Sequence, residues 1–434
     1  MIPETNFPTA AALRRVFESP RFAASLTHAI LAVAFSTHLV RSVMGWAGLI
    51  GILAGMVILA GVSLIARRKH IEWHGLLPIS ILVFVAWTAL SAVWSGYTFT
   101  TLGGIAYQIA FGFLALYIAL VRDTIQIVRA TGDVLRILLG LSIALEVLSG
   151  LLLDLPITFL GIEGNIGSMG PIQGVFGSRN TFALIALIAA VTFIIEIRAR
   201  SVRHLVGVGS LWLAGISLVL TRSPVIGTAA LVVVVAALAL FVLRRTPVEG
   251  RWMLQLGLLG ATVVAAIAAW LGRSRLIDLL NAGSEFETRY FLWQEMWRLV
   301  GLHPLEGWGW TGYWPQDVTP YGWLEFVSNR ELGSGLNAFL DVYFQLGLVG
   351  FVSFVALLGL AFVRSWVLAS NKRSLVFVWP ALILVILLVV SAAESTILVE
   401  FSWLLLIICS VKAAQNQSWR SYLALKPRPL DDDE

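Results

Sequence analysis

The stretch LVLTRSPVIGTAALVVVVAALALFVLRR, from Leu218 to Arg245, decides the fold class. Residues 224–243 carry no charge, and their number matches the roughly 20 residues that a helix needs to cross the hydrocarbon core of a bilayer. Arg244 and Arg245 close the run at one end. At the other, Thr221, Arg222 and Ser223 form a turn into a second apolar run. Such runs recur along the chain, at 26–43, 46–66, 74–94, 99–121, 132–153, 180–197, 204–221, 224–243, 252–271, 343–363, 375–391 and 396–412. The composition agrees: 58% of residues are hydrophobic, 13% are charged and the mean hydropathy is +0.86. A water-soluble domain carries about 25% charge, so that class is excluded. We therefore expect an all-α polytopic membrane protein, a single integral domain over residues 1–434 with about 12 transmembrane helices. A large extracytoplasmic loop, 272–336, would separate the ninth helix from the tenth.

The basic residues set the orientation. With a cytoplasmic N-terminus, 22 of the 30 Lys and Arg residues fall in inside segments, and every inside loop holds some of them. That distribution satisfies the positive-inside rule and predicts a multi-pass protein of the cytoplasmic membrane with both termini in the cytoplasm. The first apolar run lacks a small-residue cleavage pattern, so we expect it to be retained as a helix. The net charge of +5 is then a matter of topology and does not indicate nucleic acid. The single cysteine, Cys409, lies in the apolar run FSWLLLIICSV and reads as a packing residue.

All eight basic residues left outside are arginines: Arg41, Arg179, Arg222, Arg273, Arg275, Arg289, Arg298 and Arg330. Arginine presents a planar fork suited to phosphate oxygens. Arg179, Arg222 and Arg289 would each stand at an outer helix end or loop, where an isolated arginine could also simply reach the headgroups. Three of them together point to a shared anion site. The 272–336 loop is long for a connection, which usually signals function. From Ser284 it reads as an amphipathic helix, with Phe291, Trp293, Met296, Trp297 and Leu299 on the membrane side, ended by His303-Pro304. Gly307, Gly309 and Gly312 then alternate with Trp308, Trp310, Tyr313 and Trp314. This segment suits either an interfacial aromatic belt or a platform on which sugar rings stack.

Four segments between Gly174 and Gly350 resemble the O-antigen ligase and polymerase superfamily. GVFGSRNTFA is similar to the family's Gly-rich stretch ending in Asn at a helix start, and LTRSPVIGTAAL to its Ser-Arg helix junction. TRYFLWQEMWRLVGLHPLEGWGW resembles its Arg-x-x-x-Trp and His-Pro-x-x-Gly-x-Gly signature. LNAFLDVYFQLGLVG resembles its His-Asn-x-x-Leu and Gly-x-x-Gly helix. The resemblance implies metal-independent glycosyl transfer at the outer face of the cytoplasmic membrane, with no cofactor. The implied partners are an undecaprenyl-diphosphate-linked oligosaccharide as donor, a growing glycan as acceptor, the lipid bilayer and other polysaccharide export components.

By the same resemblance Arg222 and Arg289 would hold the donor diphosphate, with Arg179 as a third candidate. Asn180, Ser223, His303, Trp308, Trp310 and Asn337 would contribute to substrate binding. Two positions depart from the pattern: the junction reads Arg222-Ser223, and the family's His is Leu336, which cannot accept a proton. Asp341, one helical turn after Asn337, is the first substitute base, followed by Glu331 and His303. We rank a polymerase of lipid-linked repeat units first and a ligase to a lipid or protein acceptor second. A secondary transporter or flippase suits the span count, yet the carboxylates Glu146, Glu394 and Glu400 are few for that class. A metal-dependent transferase would want acidic residues in the first outer loop, RSVMGW, which has none.

Overall fold

The computed structural model describes residues 10–68, 78–272, 275, 283–328 and 333–415. Lys69, Arg273, Arg330, Glu331, Arg420, Lys426 and Arg428 lie outside the described residues. The chain is an all-α polytopic membrane protein, and among the described residues the only β pairing is one isolated bridge between Ile157 and Ile162. Its helices are α1 (Ala10–Glu18), α2 (Pro20–Phe35), α3 (Thr37–Ala66), α4 (Ile79–Leu90), α5 (Thr98–Val121), α6 (Thr124–Val147), α7 (Arg179–Arg198), α8 (His204–Thr221), α9 (Pro224–Arg245), α10 (Arg251–Leu271), α11 (Gly283–Val300), α12 (Tyr321–Ser328), α13 (Ala338–Asn371), α14 (Val378–Val390) and α15 (Glu400–Gln415).

Eight helices among the described residues are long and apolar enough to cross a membrane: α3, α5, α6 with its continuation to Leu153, α7, α8, α9, α10 and α13. The segments Pro20–Phe35, Ile79–Val93 and Leu375–Val390 are apolar but shorter. Two stretches of the predicted outer loop are helical, α11 and α12. Helix ends follow local chemistry: Ser19, Ser178 and Ser223 cap α2, α7 and α9 through their hydroxyls, and Pro20 and Pro224 occupy first helical positions, where a missing N–H is harmless.

Three helices make the centre. α7 packs on α6 and α8, α14 on α13, α9 and α7, and α15 on α5 and α13. α14 and α15 are buried on almost every side. α10 instead exposes Leu256, Leu259, Val263, Val264 and Ile267, as a lipid-facing helix should. In hydrocarbon, apolar side chains gain little by leaving the lipid, so close packing and satisfied backbone groups must hold the bundle together.

The least regular part of the fold obeys the second requirement. α13 breaks at Gly347, whose φ is 65°, and the break frees main-chain groups that need partners. The HPLEGWGW segment supplies them. Trp308 N donates to Phe344 O at 3.1 Å, Gly309 N to Gln345 O at 2.8 Å, and Leu348 N to Pro304 O at 3.0 Å. The Trp87 indole covers Leu346 O at 2.9 Å. The Gln345 side-chain oxygen adds a brace, accepting from Thr311 N at 2.8 Å and Gly312 N at 3.2 Å. Backbone meets backbone so closely that a side chain at Gly347 would run into Leu305 and Glu306, and a Cβ at Gly307 would stand 2.5 Å from Gln345 C.

Gly347→Ala should therefore lose at least about 1–2 kcal/mol from the left-handed backbone alone, and more from the collision. Gly209→Ala is the control, because a Cβ there meets nothing within 4 Å. Thermal unfolding of the detergent-solubilised variants should give a clearly lowered midpoint for the first and an unchanged or raised one for the second.

Candidate active site

Several segments converge on one cleft of about 320 Å³. Its wall takes Thr37, His38 and Arg41 from the start of α3, Ser178 and Thr181 from the start of α7, Tyr313 from the aromatic segment, and Glu394, Ser395 and Glu400 from the α14–α15 connection. Phe35, Phe176, Val399 and Phe401 are also in the wall, so charged and hydroxyl groups stand in it among apolar ones.

Glu394 joins this cleft to the arginine signature. The buried Arg289 of α11 pairs with Glu394 through Nη2 and Oε1 at 3.0 Å, and its Nε donates to Ala393 O at 3.3 Å. The Asn180 amide, in the first turn of α7, donates to the same Oε1 at 2.7 Å. The Ser223 hydroxyl, at the cap of α9, donates to Asn180 Oδ1 at 2.7 Å. Arg289, Asn180 and Ser223, three residues predicted from three separated motifs, thus form one chain of bonds, the first two on the Glu394 carboxylate and the third on Asn180. Burial lifts the Glu394 carboxyl above the ordinary carboxylate range, opposed by the Arg289 guanidinium and the Asn180 bond.

Arg222 precedes Ser223 and ends α8 in the left-handed conformation, with φ 47°. It is exposed and heads a second groove, about 390 Å³ and largely apolar, whose wall includes Ala183, Leu218, Val219, Pro224 and Ile226. Arg179 opens α7 beside Asn180.

The other pole of the cleft is Glu400, which accepts from Thr37 Oγ1 at 2.6 Å, from Tyr107 Oη at 2.9 Å and from Arg41 Nη1 at 3.5 Å. The Arg41 guanidinium lies over the Trp46 ring at 4.7 Å and the Tyr313 ring at 5.3 Å. Burial and the nearby Glu400 charge push the Tyr313 hydroxyl well above its ordinary value. None of this pole was singled out from sequence as a binding site. The signal available there was a charge inside each of two predicted spans, Arg41 in the 26–43 run and Glu400 in the 396–412 run.

Other predicted residues have structural surroundings. Asp341 is fully buried and receives Trp314 Nε1 at 2.9 Å, Gln345 Nε2 at 2.8 Å and Gly335 N at 3.0 Å, so both its oxygens are occupied. It is not part of the cleft wall. Trp310 is fully buried against Phe84, which leaves no ring face for a sugar. Trp308 is half-buried between His303 and Phe344, its N–H bonded to Leu299 O at 3.2 Å. His303 lies 3.1 Å from Glu306 at the turn after α11 and holds that carboxyl below its usual range. Asn337 caps α13 through Phe339 N and Leu340 N, and its own amide donates to Ala392 O at 3.2 Å. Of the residues expected on the membrane side of α11, Phe291 and Trp297 are exposed, whereas Met296 is buried with Leu292 and Val300. Arg289, on the same face as Leu292 and Met296 by helical spacing, turns inward with them. Glu146, weighed as a mid-membrane carboxylate, binds the Gln173 and Gly174 amides at 3.0 and 2.8 Å and so anchors the loop before α7.

With this geometry in place, one comparison is informative. Residues 209–355 match the family model described as O-antigen ligase, an interval that holds Arg222, Ser223, Arg289, the HPLEGWGW segment and the break in α13. No curated protein matches the chain.

Removing the buried Asp341 carboxylate strands three donors, each worth about 1–3 kcal/mol when unpaired. Asp341→Ala should therefore lower the unfolding midpoint and the yield of folded protein, as a thermal melt in detergent would measure.

Proposed function

We propose that this protein is a metal-independent glycosyltransferase that joins oligosaccharide units carried on undecaprenyl diphosphate, at the outer face of the cytoplasmic membrane. The supporting observation is that Arg289 and Asn180 bond Glu394 in the cleft wall and Ser223 bonds Asn180 behind it, within a chain whose residues 209–355 match the O-antigen ligase family. The reading takes 12 crossings, both termini in the cytoplasm and the 272–336 region outside, in line with the basic residues counted above.

In this reading the exposed Arg222 meets the donor diphosphate first, and the apolar groove beneath it suits the hydrocarbon next to that headgroup. Arg289 stands behind it, held in place by Glu394 until charge develops. The chemical demand is modest: the anomeric carbon–oxygen bond breaks towards a phosphate oxygen, and guanidinium groups neutralise the charge that accumulates there. Asn180 and Ser223 fix the carboxylate that fixes Arg289. Asp341, with both oxygens bonded, acts through the loop it holds, and Asn337 through the cap of α13. Trp308 contributes its half-buried edge beside His303. The description of the matched family favours the ligase as the second reading, in which the acceptor is a lipid or protein instead of a growing glycan.

Arg222→Ala and Arg289→Ala should each abolish product, a loss of orders of magnitude in rate, while the protein remains in the membrane. Unchanged polymer in either variant would overturn the clamp. Deletion of the gene separates the readings by the lipid-linked glycan that accumulates: single repeat units mean a polymerase and long lipid-linked chains mean a ligase. Units trapped on the inner face mean a flippase.

A further inference from the structure

The transfer reaction needs a group that takes the proton of the acceptor hydroxyl, and the position before Asn337 is a leucine. Among the described residues three carboxylates stand near the cleft, and their bonding separates them. Asp341 has both oxygens occupied and lies behind Trp314. Glu400 has both oxygens occupied, Oε2 by Thr37 and Oε1 by Tyr107 and Arg41. Glu394 takes both of its bonds, from Arg289 and Asn180, on Oε1. Its Oε2 has no hydrogen-bond partner among the described residues, and Glu394 belongs to the cleft wall.

The location is equally specific. Ala338 N donates to Ser391 O at 2.9 Å, the Asn337 amide to Ala392 O, and Asn337 N to Ser395 Oγ at 3.3 Å. These bonds pin residues 391–395 against the Leu336–Ala338 turn. Leu336 itself is held at φ 51°, a conformation that is costly for a residue with a side chain and is over-determined by the bonds on either side. The titratable groups sharing the cleft with Glu394 are His38 and Arg41 of α3, Tyr313 and Glu400, with Arg289 at its back.

We infer that Glu394 is the catalytic base, receiving the acceptor proton on Oε2 while Oε1 stays bonded to Arg289 and Asn180. This rests on the transfer reaction proposed above. The acceptor oxygen forms its bond to the anomeric carbon as the carbon–oxygen bond to the diphosphate breaks, with the electron pair departing on the phosphate oxygen. The hydroxyl proton moves to Glu394. The neutral acid holds Arg289 less strongly, so the guanidinium becomes available to the leaving diphosphate at the moment its charge appears. Loss of the proton to water restores the pair. Base and clamp are thereby coupled through a single carboxylate, whose raised proton affinity suits the task.

The test uses the full-length protein in membranes or nanodiscs, with donor isolated as the lipid-linked oligosaccharide that accumulates in the deletion strain. Glu394→Gln keeps an acceptor oxygen for Arg289 and Asn180 but cannot take a proton. We expect kcat to fall by about 100- to 10,000-fold, with undecaprenyl diphosphate binding and the unfolding midpoint close to those of the parent protein. The parent should lose rate at low pH as the carboxylate is protonated, and the residual rate of Glu394→Gln should be free of that acid limb. Glu394→Asp should retain part of the rate and the limb. A Glu394→Gln enzyme with near-parental rate and the same pH profile overturns the base. So does a rate loss matched by an equal loss of diphosphate binding, which would make Glu394 a positioning residue for Arg289. If Glu394→Gln is unstable, the pH profile of Glu394→Asp decides, and absence of the acid limb there counts against the base. Failure of the parent protein itself to transfer sugar from this donor would instead defeat the proposed function.

Discussion

A helix that breaks inside an apolar molecule leaves carbonyl and amide groups that nothing but protein can satisfy. That constraint organises the region around the cleft. The break of α13 at Gly347 turns Phe344 O, Gln345 O and Leu348 N away from the helical ladder, and the irregular segment after α11 lies against them. Beside this segment Gln345 and Asp341 gather the next turn through Thr311 and Trp314, and Tyr313 is delivered to the cleft. Glycine is required at 307 and 347 because two backbones share the space a side chain would take.

The polar centre is economical for the same reason. A charge in such surroundings must be paired. Glu394 is paired with Arg289, Glu400 with Arg41 and two hydroxyls, and Glu146 with two loop amides. Towards the opposite helix ends Arg136 pairs with the buried Glu196, and Arg244 bonds the carbonyls of Ala369 and Arg373. These contacts separate charges that close the ends of the bundle from those that face a cavity. Of the pairs named here, Arg41–Glu400 and Arg289–Glu394 contribute residues to the cleft wall.

Much of this was legible from the chain. Runs of uncharged residues mark helices because a backbone in hydrocarbon has few other options, and α8 coincides with its predicted span, His204–Thr221. Arg289, Asn180 and Ser223 could be singled out because they lie in the segments that resemble the superfamily's motifs. The aromatic segment was harder. Tryptophan suits an interface, a stacking platform and a core equally well, and only packing distinguishes the buried Trp310 from the half-buried Trp308. The inward turn of Arg289 likewise depends on which face of α11 meets α13, a matter that periodicity leaves open when both faces are aromatic.

Composition and period, by themselves, determined that the chain is helical and membrane-embedded, and which few residues are too polar to be filler. Those properties follow from the solvent and from the helix repeat, both of which act locally. The tertiary structure alone decided how the rare polar residues pair, because pairing depends on approaches between segments more than 100 residues apart, such as Asn180 to Glu394 and Thr37 to Glu400. It also decided which of the three described carboxylates there keeps an oxygen with no hydrogen-bond partner among the described residues. That outcome is set by the number and direction of donors around each one, and no feature of the linear sequence encodes it.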